Sequence, residues 1–335
     1  MREWVINEYS GYQGLVLQDC EEQQPGPGEV RLRVEAFAMN WGDADLMLDM
    51  YSFSFPRFPA RIGVEAAGIV EQVGEGVTGV EIGQRYCTLP YMYYDRGVSA
   101  DSVIVDVKYI AKAPEGLSAV ESASIWMMYM TAYFPVVELG KADANTNILV
   151  TAATSTAGKA ALEIGRLCGA NMIATTRYEN NRQYLGESGA NHVYIADGKG
   201  PNLAEMISEV TNGKGVDVIY DPIGKDIMSE YSSAFAQDAQ IFYYGFLKGE
   251  LPEVPIIDMF HTNTTLRAYS VFHYVDNPEM CEKGKDFIYE GIASGALVPD
   301  IDKVYPMESY KDAWDYVRAD RASHGKVVVQ TGFNQ

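Results

Sequence analysis

The chain has 335 residues, 47% hydrophobic and 21% charged, the make-up of an ordinary globular protein and long enough that two domains are expected. Its 46 acidic against 26 basic side chains give a net charge of −20, which argues against nucleic acid as a partner and disfavours an anionic membrane surface. No window approaches about 18 uninterrupted apolar residues. The start MREWVINEYSGYQ lacks the basic-then-apolar plan of a signal peptide, so a cytoplasmic location is expected.

Cys20, Cys87, Cys168 and Cys281 form no C-x-x-C pair and read as isolated thiols in a reducing compartment. His192, His261, His273 and His324 are equally scattered, so the sequence shows no metal ligand set.

Residues 1 to 120 read as short strands and turns. Val30 to Val34 alternates with period two after the turn signal Pro25-Gly26-Pro27-Gly28, and Gly68 to Val73 forms a second strand after the compact passage Gly63 to Ala67. Many strands at short spacing imply a small β-barrel-like domain. Ser118 and Glu121 then have the spacing of a capping box, and helical periodicity runs from Ala119 to Tyr133.

Residues 147–177, NILVTAATSTAGKAALEIGRLCGANMIATTR, organise the rest. The apolar run Ile148 to Thr151 predicts a buried parallel strand, and Ala160, Ala161, Ile164, Leu167 and Cys168 recur at helical spacing before Gly169. With the second strand Met172 to Thr175 this makes one βαβ unit of about 30 residues. Such a unit offers free N–H groups and a positive helix end to an anion, usually a dinucleotide pyrophosphate. The three glycine positions of the G-x-G-x-x-G pattern read Ala153, Ser155 and Gly158, so only the last keeps its glycine. The turn alone leaves two readings open, a nucleotide site and a crossover that binds nothing.

Strand and helix patterns alternate to about residue 270, at Val193 to Ile195, Leu203 to Val210, Val216 to Tyr220, after Lys225, Ile241 to Gly245 and Thr265 to Tyr269. That alternation predicts a doubly wound parallel sheet. Helices near 281–294 and 310–320 follow, and the strand Lys326 to Val329 is expected to return to the first domain.

Several stretches in order resemble the medium-chain dehydrogenase/reductase family, in its zinc-independent quinone oxidoreductase branch. They are PGPGEVRLRVEAFAMNWGD at 25–43, P-x-x-x-G-x-E-x-x-G-x-V at 59–70, G-x-R at 83–85, SAVESASIWMMYMTAY at 118–133, the βαβ unit with GKGVDVIYDPIG at 213–224, and G-K-V-V at 325–328. The resemblance implies a Rossmann-type α/β sheet inserted into a GroES-like β-barrel domain. The expected bounds are 1–120, 121–270 and a return at 271–335. Zinc-dependent relatives place a cysteine and a histidine where this chain has Asn40 and Val64.

The resemblance further implies NADPH between the domains, its nicotinamide near Asn40, Asp43, Tyr51, Met127 and Thr131 and its pyrophosphate over Ser155, Thr156, Ala157 and Gly158. It extends the cofactor contacts to Gly245 and Lys326, and implies a homodimer through the sheet edge near 265–271. The second strand ends Thr175-Thr176-Arg177, with Arg182 beyond it; a guanidinium there suits a 2′-phosphate, as a carboxylate would suit NAD. Without zinc, hydride transfer needs an acceptor carbon activated by conjugation, a quinone or an α,β-unsaturated carbonyl. Tyr51 is the expected proton donor and Asn40 the orienting amide. Tyr91 and Tyr93, in an aromatic run, read either as walls of a substrate pocket or as a loop packed on the barrel. An enoyl-thioester reductase and a non-catalytic cofactor binder are the alternatives.

Overall fold

The computed structural model describes residues 1–91, 96–198, 202–247, 249, 251–319 and 323–332. Two compact units emerge: Met1–Met127 with Val275–Ala293 and Val298–Gln335, and Met128–Tyr274 with Ser294–Leu297.

The second unit holds six parallel strands in the spatial order His192–Ile195, Asn171–Thr176, Asn147–Val150, Val216–Asp221, Phe235–Tyr243, Thr265–Ala268. Counted along the chain this is 3-2-1-4-5-6, the order of a dinucleotide-binding sheet. The central strands are buried on both faces, which is why Ile148–Val150 within Asn147–Val150 reads as an apolar run. Helix Thr156–Leu167 packs so closely on the second strand that a Cβ added at Gly165 would lie 2.2 Å from the Met172 sulfur. On one core, Leu149, Ile173, Ile219 and Ile241 pack with Leu203, Ile207, Met228 and Tyr231. Asn202 and Glu205 cap helix Leu203–Val210 reciprocally.

The first unit is built on a seven-stranded sheet centred on Glu29–Ala38, which pairs antiparallel with Ala66–Val73, Ser102–Asp106 and Lys326–Gln330. Val328 faces Ala38, so the last strand closes onto the strand that begins the sheet. A three-stranded sheet, Val16–Asp19, Arg2–Ile6 and Ala60–Arg61, accompanies it. This is the β-barrel-like domain expected from the strand spacing, in the GroES-like form that the resemblance implies.

One expected element is broken. The helix predicted over 119–133 divides into Ala119–Ser122 and Trp126–Tyr133, followed by a π-helical turn at Phe134–Leu139. Ser118 and Glu121 do cap its start, but the Ser124 hydroxyl donates to the Glu121 carbonyl at 2.7 Å and helps end the first turn. Pro135 has no N–H to continue the ladder, and Gly140 donates to its carbonyl five residues back at 2.9 Å. The strand expected over 241–245 starts earlier and ends at Tyr243.

Candidate functional site

In the parallel sheet the first and fourth strands lie side by side, Val150 facing Tyr220, and their carboxyl ends mark the switch point of the topology. The chain leaves the first strand through Thr151, Ala152 and Ala153 and enters the helix at Ser155. Ala152 sits at φ 47°, a left-handed conformation that costs a residue with a Cβ about 1–2 kcal/mol. Gly158 cannot carry a side chain here: an added Cβ would lie 2.8 Å from the Ala152 carbonyl oxygen and the Ala153 Cα, backbone atoms that cannot swing aside.

The Ser155 hydroxyl oxygen accepts the Gly158 N–H at 3.1 Å and so caps the helix. Thr156 and Ala157 occupy the first turn, where a helix supplies no acceptor for its own N–H groups and its dipole is positive. The turn is half-buried, small and electropositive at the backbone, and its donor set fits a diphosphate.

The end of the fourth strand is held by one buried carboxylate. Asp221 accepts the Thr151 hydroxyl at 2.5 Å, the Tyr231 hydroxyl at 2.8 Å, and the N–H groups of Ile223 and Gly224 at 2.8 and 3.2 Å. A fully buried carboxylate needs such a set of donors, and these tie the first and fourth strands together beside the turn.

Other expected cofactor residues have distinct places. Thr176 is buried and its hydroxyl accepts from Asn181 Nδ2 at 2.8 Å, which shapes the loop after the second strand. Arg177 is exposed, 5.1 Å over the Tyr178 ring. Arg182 is forked on Glu179 at 2.5 and 2.9 Å and donates to the Val193 carbonyl at 3.1 Å, so its donors are largely engaged inside the chain. Thr131 is buried on helix Trp126–Tyr133. At Gly245 an added Cβ would meet Pro222 Cβ at 2.8 Å, so glycine there permits a close approach of two chain segments.

In the first unit, Asn40 precedes the short helix Trp41–Leu46, and its backbone N–H donates to Asp43 at 3.1 Å. Behind it lies Glu65, wholly buried. One carboxylate oxygen accepts the Met127 N–H at 2.9 Å; the other accepts Lys326 Nζ at 2.8 Å and Asn40 Nδ2 at 3.4 Å. Lys326 Nζ also donates to Asn40 Oδ1. Charge dictates the orientation of that amide, because an ammonium only donates and a carboxylate only accepts. Lys326, expected to touch cofactor, is therefore a buried partner of Glu65 and Asn40, only 2% exposed.

Tyr51 packs across this helix: a Cβ at Gly42 would lie 2.9 Å from the Tyr51 ring and 3.4 Å from its hydroxyl. Burial, then the nearby Asp43 and Asp45 carboxylates, raise the Tyr51 pKa, so the phenol keeps its proton and can act as a donor. Burial also pushes Asp43 up to about 7, against the pull of the Asn40 N–H and Lys326, and Asp45 up to about 6. Met127 is half-buried. Tyr91 is 1% exposed, and its hydroxyl donates to the Arg96 carbonyl at 3.1 Å, the geometry of a packed loop residue. Tyr93 lies outside the described residues.

Glu65 and Asp221 stand in the sequence only inside quoted stretches, with no role that spacing alone assigns them. A lone carboxylate inside the apolar passage Gly63-Val64-Glu65-Ala66-Ala67 was the available signal, since such a charge must find buried partners. Among the described residues no group of three or more His, Cys, Asp or Glu side chains could hold a metal ion, and no helix is long and apolar enough to cross a membrane.

Comparison with known proteins agrees with this architecture. The family model described as zinc-binding dehydrogenase matches residues 157–288, and that of the alcohol dehydrogenase GroES-like domain matches residues 26–115. The chain is 27% identical over 331 residues to a 2-haloacrylate reductase of a Burkholderia species, covering 97% of each protein. It is 28% identical over 335 residues to a mycocerosic acid synthase-like polyketide synthase of Mycolicibacterium smegmatis, covering 97% of this chain and 15% of the synthase. The crystal structure of Escherichia coli quinone oxidoreductase complexed with NADPH superposes with a TM-score of 0.88 at 22% identity, over 98% of this chain and all of that one, which establishes a common fold. These two domains are the pair that makes up the medium-chain dehydrogenase/reductase family, and the chain is similar to that family's zinc-independent, quinone oxidoreductase-like members.

Proposed function

We propose that the protein is an NADPH-dependent reductase of quinones or α,β-unsaturated carbonyl compounds. The observation that carries this reading is the half-buried turn 151–158, where Gly158 lets the helix start meet the strand end and Ser155 caps it as a diphosphate cradle. Thr156 and Ala157 would donate N–H groups to the diphosphate, and Arg177, at the end of the second strand, would take the 2′-phosphate. Resemblance over nearly the whole length to a 2-haloacrylate reductase, whose named substrate carries an activated double bond, supports the substrate class.

Bound NADPH supplies the hydride. The chain must then stabilise the negative charge that collects on the acceptor oxygen and return a proton. Tyr51 would serve as a hydrogen-bond donor to that oxygen, its phenol held protonated by burial, and Asn40, fixed by Lys326 and Glu65, offers its second Nδ2 hydrogen as an orienting donor. With Asn40 and Val64 at the positions of two zinc ligands, activation has to come from conjugation in the substrate.

The test is oxidation of NADPH and NADH by the purified protein with a panel of benzoquinones, naphthoquinones, enones, 2-haloacrylates and an enoyl thioester. Turnover of NADPH with a quinone, enone or haloacrylate is expected, with Tyr51→Phe lowering kcat more than it changes KM. Binding of NADPH without turnover of any acceptor would overturn the reductase reading.

A further inference from the structure

Tyr244 follows the fifth strand of the parallel sheet and stacks on Tyr220, which lies in the fourth, with ring centroids 3.9 Å apart and planes 16° from parallel. Its hydroxyl lies beside the hydroxyls of both Ser155 and Tyr220, yet no hydrogen bond of ordinary length satisfies it or Tyr220, and its oxygen is shut off from solvent. A buried hydroxyl without a partner is uncommon enough to require an explanation. Burial keeps the phenol protonated, so the group has one hydrogen to donate, while the neighbouring Tyr220 hydroxyl is available to donate to its oxygen.

Ser155 is the neighbour that can answer it. Its oxygen has two lone pairs and one hydrogen. One lone pair takes the Gly158 N–H at 3.1 Å. If the second takes the Tyr244 hydroxyl, both lone pairs are filled by the chain and the serine hydrogen is left to point out of the turn, where Thr156 and Ala157 also present N–H groups.

We propose that Tyr244 is a positioning residue which fixes the Ser155 hydroxyl as an additional donor to the diphosphate of a dinucleotide. The inference rests on the nucleotide-binding reading of this turn and deepens it. It also accounts for the loss of glycine at the second position of the pattern. Where glycine would bring the backbone to the phosphate, Ser155 reaches it with a side-chain O–H held from behind.

The test uses the full chain and its Tyr244→Phe, Ser155→Ala and double variants, titrated with NADPH, NADH, ADP-ribose and adenosine 2′-phosphate. Tyr244→Phe keeps the ring stack and removes only the hydroxyl, so the thermal midpoint without nucleotide should not move. Its Kd should rise about tenfold for NADPH, NADH and ADP-ribose alike, the loss of one hydrogen bond to a charged group, and stay unchanged for adenosine 2′-phosphate, which has no diphosphate. In turnover the change should appear in KM for NADPH and leave kcat alone.

Because Tyr244 acts through Ser155, the double variant should bind no more weakly than Ser155→Ala. Wild-type affinity in Tyr244→Phe, or losses that multiply in the double variant, would overturn the proposal while leaving the reductase reading intact. If the wild-type chain binds none of the dinucleotides, the proposal and the cofactor reading fall together.

Discussion

Lys326 donates to Glu65 at 2.8 Å, and neither side chain reaches water: their exposures are 2% and 0%. Such a pair is a poor source of net stability, because both charges are stripped of solvent, but it is costly to break, because the survivor is left buried and alone. Here it also orients Asn40 and receives the Met127 N–H, so three chain segments depend on it.

Lys326→Met should therefore destabilise the protein by about 3–5 kcal/mol, measured by denaturant unfolding, while Lys326→Arg keeps a donor cation and loses less. The double change Lys326→Met with Glu65→Gln should cost less than the sum of the two, since no net charge is then left buried. Additive losses would show that the pair is not coupled.

This pair also marks where the sequence was legible. Alternation, capping residues and apolar runs follow from local physics, so the strand read at 148–151, the helix at 203–210 and the closing strand at 326–329 match observed elements to within a residue. The break at Ser124 and the π turn at Pro135 depend on where side chains send their hydrogen bonds, which periodicity does not carry. In the candidate site, spacing places Ser155 and Gly158 at the turn, whereas Asn40 comes from the resemblance alone. The inward turn of Lys326 was not, because its partner Glu65 lies 261 positions away. The nearness of Glu179 to Arg182 is visible in the sequence, but the two-pronged fork between them, which occupies the guanidinium, is not.

Gly158→Ala tests the turn itself. The added methyl would stand 2.8 Å from the backbone of Ala152 and Ala153, so the helix start must move away from the strand. A backbone shift of this kind costs about 1–3 kcal/mol, and it moves the donors of Thr156 and Ala157 off their target. Unfolding should report the first effect, and nucleotide titration a weakening of about tenfold or more. An unchanged Kd would separate this turn from cofactor binding.

Arg177→Ala tests cofactor choice. Because Arg182 is engaged by Glu179 and Val193, the discrimination between NADPH and NADH should rest mainly on Arg177. Removing one guanidinium contact to a phosphate should weaken NADPH by about tenfold or more and leave NADH nearly unchanged. Arg182→Ala should have the smaller effect on the ratio of the two constants, read by the fluorescence of the reduced nicotinamide. The reverse ranking would move the 2′-phosphate contact from Arg177 to Arg182.

Asp43 gives the protein a pH dependence whose sign follows from its burial. Its carboxyl is raised from an ordinary 3.8 to about 7 in the folded chain, chiefly by burial, with Glu65 and Asp45 adding to the rise and the Asn40 N–H and Lys326 opposing it. Between those values the folded chain binds more protons than the unfolded one, so stability falls as pH rises through the window from about 4 to about 7. Below it the group is neutral in both states; above it the folded chain carries a buried carboxylate that the unfolded chain exposes to water. Asp45, raised to about 6 by burial, acts with the same sign. Asp43→Asn keeps an oxygen to accept the Asn40 N–H and has no charge to bury. Its thermal midpoint relative to wild type should accordingly climb as pH rises from about 4 to about 7 and level off above that. A difference that stays flat across this range would mean that Asp43 is ionised in the folded chain throughout, held by Lys326 more strongly than burial opposes it.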